Sequence, residues 1–308
     1  MMEPSNSTFH ENPLFVHKVR KQFGDQMVLD GATLRLQPGS ITGLLGRNAA
    51  GKTTLIRTAV GLLSPDHGNA YLFGTPAFNA PASIRQRVGY VAQKFDDLAH
   101  LRVGDAIELV GSFYDRWDHS LVERFRREWQ VPESKRISKL SHGQQQKASI
   151  LIAIGHRPEL LILDEPVASL DPVARHDFIR ALLELNVEIN QTILFSSHIT
   201  TDIERVAADI AILHQGIISY HGSLDQLKEQ VQCLYLRPDS KVIQQIDRGD
   251  NLARHVEGYI SCRIDGQRVQ VWVRDWDDEK RDQLRDAFGV PVHAEHVGLE
   301  DLFMGMTS

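Results

Sequence analysis

Cysteine is nearly absent from this chain: Cys233 and Cys262 are the only two in 308 residues. Two thiols in so long a chain make no disulfide framework, and a reducing compartment is expected. The opening Met1-Met2-Glu3-Pro4-Ser5-Asn6-Ser7-Thr8 has no positive stretch leading into an apolar run, so no secretory signal is expected. Long hydrophobic runs are also missing. Runs such as Leu160-Leu161-Ile162-Leu163 fall far short of the ~18 residues that cross a bilayer. Membrane work would therefore need another chain to do the crossing. Positive charge is not in excess either: 34 Lys and Arg against 40 Asp and Glu leave a formal net charge of -6. That excludes an overall basic face for nucleic acid and leaves room only for a local patch. With 42% hydrophobic and 24% charged residues, the composition is that of a globular protein, long enough for one large domain and a small one.

What is present is organised around Gly46-Arg47-Asn48-Ala49-Ala50-Gly51-Lys52-Thr53-Thr54, which fits G-x-x-x-x-G-K-[ST], the phosphate-binding P-loop. The apolar run Ser40 to Leu45 before it reads as a strand. Leu55 to Val60 after it reads as a helix, and strand, loop, helix is the context this motif requires. Glycines let backbone N–H groups close around phosphate oxygens, and the helix start adds roughly half a positive charge. In such a loop Lys52 reaches the terminal phosphates and the Thr53 hydroxyl suits Mg²⁺.

Further along, Leu14 to Leu36 is strand-rich with a turn at Gly24-Asp25. Phe23 in this stretch is either a core or edge aromatic or a face on which adenine stacks. Ala70 to Gly74 and Val88 to Ala92 read as strands, the second ending at Gln93. Residues 99 to 135 read as helical, with Trp117 and Trp129 as packing indoles. Leu140-Ser141-His142-Gly143-Gln144 leads into an apolar helix. Ser141 and Gln144 fit a capping box, so the stretch is either a plain helix start or a second anion-binding helix end. Leu160 to Leu163 is a buried parallel strand by composition, ending in Asp164-Glu165, where ligands of open α/β sheets bind. With a P-loop upstream, Asp164 suits Mg²⁺ and Glu165 suits a base for the attacking water. Thr192 to Ser197 is one more buried strand, ending at His198.

Together these pieces resemble the nucleotide-binding subunit of ATP-binding cassette transporters over about residues 14 to 222. The stretch Leu140 to Gln144, placed shortly before the acidic strand, carries most of the resemblance. It implies an α/β fold: a RecA-like P-loop NTPase core with an antiparallel β subdomain and a helical signature subdomain at about 95–155. Residues 1–13 would be a flexible tail and 223–308 a small α+β accessory domain. It implies ATP and Mg²⁺ as ligands, with Gly46 to Thr54 around the phosphates and Phe23 on adenine. Glu165 would be the catalytic glutamate, His198 the switch histidine on the γ-phosphate, and Gln93 the loop glutamine near Mg²⁺ and the membrane partner. Ser141, Gly143 and Gln144 would serve ATP held by another cassette subunit, and Asp171 the loop crossing between the two. The cassette would pair as a homodimer or heterodimer and drive a separate membrane-spanning exporter subunit from the inner face of the cell membrane, with no nucleic acid involved.

Three positions depart from the commonest pattern. Ala49 stands where glycine is usual, which costs about a kcal/mol if that position needs positive φ. His142 replaces a glycine, and Val167 a threonine. In the appendix Val269, Val271 and Val273 alternate as a strand. Asp277 to Asp286 is a charged helix with an expected Asp277–Arg281 pair, and His293 and His296 read as surface residues rather than a metal site. Gly298 to Met304 is similar to the tail of exporter-type and drug-resistance-type cassettes. Two other classes compete: a soluble cassette acting on ribosomes or nucleic acid, and a non-enzymatic regulatory module. The first lacks its usual second cassette or coiled-coil insertion here; the second does not need both Lys52 and Glu165.

Overall fold

The computed structural model describes residues 12–93, 97–168, 170–189, 191–236, 256–266 and 268–307. They divide between two compact units, residues 1–221 and 222–308. The polar start thus lies outside the described residues as far as residue 11, while Asn12 and Pro13 are buried.

The first unit opens with β1 (Leu14–Phe23) and β2 (Gln26–Arg35), a hairpin closed at Gly24-Asp25 with Gly24 at φ 56°. Then come β3 (Ile41–Leu45), α1 (Lys52–Ala59), β4 (His67–Leu72), the two-residue β5 (Thr75–Pro76) and β6 (Val88–Val91). Three helices follow: α2 (Val103–Gly111), α3 (His119–Glu128) and α4 (His142–Ile154). The unit continues with β7 (Leu160–Leu163), α5 (Pro172–Ile189), β8 (Thr192–Ser197), α6 (Thr200–Val206), β9 (Asp209–His214) and β10 (Ile217–Ser223). The stretch 99 to 135 is therefore not one helix. It breaks over residues 112–118, where the chain turns, and the Trp117 indole packs against Gly111 and Gly155.

Two sheets result. One is antiparallel, in the order β2-β1-β4-β5; the other runs β10-β9-β3-β8-β7-β6, with β9, β3, β8, β7 and β6 paired in parallel. Every residue of β3, β7 and β8 is buried, as expected of central parallel strands covered on both faces. The cover is tight: a methyl on Gly43 would lie 2.5 Å from Ile203 Cγ2 on α6. In register, Leu45 of β3 stands beside Ser197 of β8, and Leu163 of β7 beside Phe195. The three loops that leave these strands therefore emerge side by side from one edge of the sheet, where open α/β sheets bind ligands.

The second unit contains α7 (Leu224–Gln230), β11 (Val231–Leu236), β12 (Tyr259–Asp265), β13 (Arg268–Arg274), α8 (Asp278–Phe288), β14 (Val292–His296) and α9 (Leu299–Met306). Its antiparallel sheet runs β12-β13-β11-β14. Val269, Val271 and Val273 enter a core with Leu234, Leu236 and Leu284. Cys233 lies opposite Trp272, and Cys262 opposite Val271. Neighbouring residues of β13 point to opposite faces, so the two thiols do too, and both are free. The expected Asp277–Arg281 pair is replaced by a cap. Asp277 accepts from Lys280 N at 2.8 Å, and Arg281 turns to Asp278 at 2.8 Å. His293 meets Glu295, and His296 meets Gln232 and the Lys228 carbonyl. Among the described residues, no group of ligating side chains could hold a metal without help from a ligand. No described helix is long and apolar enough to cross a membrane.

Candidate functional site

The loop between β3 and α1 forms a cradle. Gly51 has φ 103°, and a methyl there would lie 3.0 Å from the Val28 carbonyl, so only glycine fits. The next residues begin α1, whose first N–H groups have no helical acceptor and point at the loop. Ala49 has φ 64°, the left-handed conformation that favours glycine. Arg47, Asn48 and Ala49 are exposed, whereas Gly46 and Lys52 are buried.

Lys52 Nζ donates to the Gly46 carbonyl at 2.7 Å and to Arg47 O at 3.2 Å. It also pairs with Glu165 Oε1 at 2.8 Å, and His198 Nδ1 donates to Glu165 Oε2 at 2.7 Å. One carboxylate thus joins the P-loop lysine to the histidine at the end of β8. Glu165 itself sits at φ 50°, a conformation costing a β-carbon residue roughly 1–2 kcal/mol. Its backbone N–H is held by Ser196 Oγ at 2.8 Å.

Asp164 is fully buried. Its Oδ1 accepts from Ser196 Oγ at 3.1 Å, while Oδ2 has no well-formed hydrogen bond. Burial pushes its carboxyl above the usual carboxylate range, with the hydroxyls of Thr53 and Ser196 pulling the other way. A buried carboxylate with a bare oxygen beside a threonine hydroxyl is an all-oxygen donor set that fits a hard divalent cation. Ser196 is the residue that the sequence reading missed. It is fully buried and touches both acids, and the signal was there: a hydroxyl inside an apolar strand, where a buried polar group needs a partner.

Other candidate residues stand apart from this cluster. Ser141 and Gln144 form the full capping box of α4, Gln144 N to Ser141 Oγ at 3.3 Å and Ser141 N to Gln144 Oε1 at 3.4 Å. Ser141 is exposed, and among the described residues no hydrogen bond ties it, Gly143 or Gln144 to the P-loop. Gly143 instead lies beside Leu170 and Ala174. Asp171 caps α5, accepting from Val173 N and Ala174 N at 3.0 Å. Gln93 is exposed two residues beyond β6 and has no hydrogen bond to either acid among the described residues. Phe23 ends β1 with 49% of its surface exposed, so it is no core aromatic; Lys21 Nζ stands 5.5 Å from its ring centre.

A parallel sheet that brings a phosphate cradle, an acid pair and a histidine to one edge defines a P-loop nucleoside triphosphatase. The comparisons narrow the class. The family model described as ABC transporter matches residues 29–168. The Nod factor export ATP-binding protein I of Burkholderia lata is 30% identical over 309 residues, spanning 96% of this chain and 97% of that protein. The bacitracin transport ATP-binding protein BcrA of Bacillus licheniformis is 33% identical over 68% of this chain and 69% of its own length. A solved structure of the ATP-binding subunit of an ABC transporter is 28% identical, with a TM-score of 0.63 over 70% of this chain and 92% of that one. This chain belongs to the ABC transporter family, as its ATP-binding, ATP-hydrolysing subunit.

Proposed function

We propose that this subunit hydrolyses ATP·Mg²⁺ between two cassettes and so drives a separate membrane-spanning partner that exports its substrate. The carrying observation is the buried chain Lys52–Glu165–His198 at the mouth of the P-loop. Lys52 and the loop N–H groups would hold the β- and γ-phosphates, while Thr53 and Asp164 would ligate Mg²⁺, with Gln93 completing its surroundings. The metal would supply charge neutralisation for the departing phosphate. Glu165, released from Lys52 when phosphate takes its place, would orient and deprotonate the attacking water. His198 holds Glu165 through Nδ1, leaving Nε2 for the γ-phosphate. Phe23 offers its exposed face to adenine. Ser141, Gly143 and Gln144 open a helix whose N-terminus has no hydrogen bond to the chain's own P-loop among the described residues, which supports their serving the nucleotide of a second cassette, with Asp171 between. Export follows the names of the relatives, Nod factor export and bacitracin transport.

The test is Glu165→Gln, which keeps the shape and removes the base. ATP should still bind, while turnover falls at least about 10²-fold, the scale of a lost general base. Near-normal turnover in the purified variant would remove Glu165 from the mechanism.

A further inference from the structure

Behind the Lys52–Glu165–His198 chain lies a further buried carboxyl that this chemistry does not use. Asp202 sits in α6, four residues beyond His198, and is 1% exposed. Among the described residues neither of its carboxylate oxygens has a hydrogen-bond partner. It faces Arg175, in the first turn of α5, whose Nε stands 3.8 Å from Asp202 Oδ2 and is itself buried and unpartnered. Arg175 is tied in turn to the loop that leaves Glu165. Its Nη2 donates to the Leu170 carbonyl at 3.4 Å, and its backbone N–H to the Asp171 carbonyl at 2.9 Å.

At 3.8 Å opposite charges attract, but no hydrogen bond forms. A buried carboxylate with both oxygens bare is costly, so an arrangement that brings the guanidinium about 1 Å closer is favoured. Because Arg175 is tied through Nη2 to the Leu170 carbonyl and through its N–H to the Asp171 carbonyl, closing the pair with those bonds kept would draw the start of α5, and with it Leu170 and Asp171, toward α6. The open pair lies between the segments that follow Glu165 and His198.

We propose that Asp202 is a positioning residue: through Arg175 it couples the helix behind His198 to the loop bearing Asp171, and the pair closes when that loop takes its nucleotide-engaged position. The proposal rests on the roles given above to His198 and Asp171. It makes the γ-phosphate side and the subunit-facing side of the site move as one, with Asp202 touching neither ATP nor water.

The experiment compares Asp202→Asn, Arg175→Ala and the double variant in the full chain. Readouts are steady-state ATP hydrolysis, and thermal unfolding without nucleotide. Asp202→Asn is expected to lower kcat at least about tenfold while KM for ATP stays within about threefold, with unfolding within a few degrees of the parent. Arg175→Ala should do the same, and the double variant should be no slower than the worse single one, because the two act as a unit. If Asn or Ala at these positions fails to fold, Asp202→Glu and Arg175→Lys carry the same readouts. An unchanged kcat in the folded variants overturns the proposal, as does a double variant whose losses multiply, or a kcat loss that tracks loss of fold. Glu165→Gln run alongside separates the two readings. Slow Glu165→Gln with normal Asp202→Asn overturns only the coupling, whereas normal Glu165→Gln overturns the site assignment beneath it.

Discussion

At the scale of single residues, this site stores conflict. Lys52 is held by two carbonyls and a carboxylate, where the proposed reading would place phosphate. Separating a buried pair by deleting one partner costs about 3–5 kcal/mol; nucleotide avoids that cost by replacing one anion with another. Glu165 is held with left-handed backbone and is clamped by Ser196. Ala49 is strained too, at φ 64°, yet it is exposed and its side chain carries no chemistry. Ala49→Gly should therefore relieve roughly 1 kcal/mol and raise the unfolding midpoint by about 2–4 °C for a unit of this size. Calorimetry without nucleotide checks this. A lower midpoint would mean that the methyl of Ala49 makes a contact worth more than the strain.

At the scale of elements, legibility followed chemistry that is local. The strands β3, β7 and β8 were readable because central parallel strands are mostly apolar runs, and the hairpin because Gly24-Asp25 names its own turn. The break between α2 and α3 was not readable: residues 112–118 carry no proline, and what bends them is Trp117 seated on Gly111 and Gly155, a tertiary contact. Asp277 could pair or cap, and the backbone N–H of Lys280 won over a solvated arginine. Of the site, Lys52, Asp164, Glu165 and His198 were readable as strand-end and loop residues. Ser196 stood out only as a buried hydroxyl, and that its partners are the two acids comes from the fold, which sets β8 beside β7. The packing of α4 on β6 has its own signature. His156, just past α4, is 8% exposed, stacks on Tyr114 at 4.0 Å and donates through Nε2 to the Val88 carbonyl, with Nδ1 buried and bare. Burial pushes its pKa from 6.5 down to about 4, against the Val88 hydrogen bond. The unfolded chain thus binds more protons between these values, so stability is full above pH 6.5 and falls as pH drops toward 4, by roughly 3 kcal/mol at most. His156→Gln cannot titrate and should flatten this slope in melts taken from pH 7 to 4.5. An unaltered slope in the variant would show that His156 is not the group responsible.

At the scale of the whole molecule, the question is whether one chain holds a complete site. The P-loop, the acids and His198 meet within the chain. Ser141 opens α4 in an exposed capping box with no hydrogen bond to that cluster among the described residues. Two helix N-termini suited to anions, one at Lys52 and one at Ser141, then make sense if each closes on the phosphates held by the other in a second copy. In that arrangement Lys52→Ala and Ser141→Arg should each be nearly inactive as pure homodimers, for different reasons: one loses the phosphate hold, the other puts a bulky cation where the helix end must approach. Mixing them gives a dimer in which the intact Lys52 of the Ser141→Arg chain meets the intact Ser141 of the Lys52→Ala chain. One whole site is rebuilt and the other is doubly broken. ATP hydrolysis measured after mixing should recover part of the parent activity. If both sites must fire together, ATP-dependent dimerisation should return without turnover, which light scattering reads. Should neither return although mixed dimers are shown to form, Lys52 and Ser141 serve one site within a single chain, and the composite site does not exist.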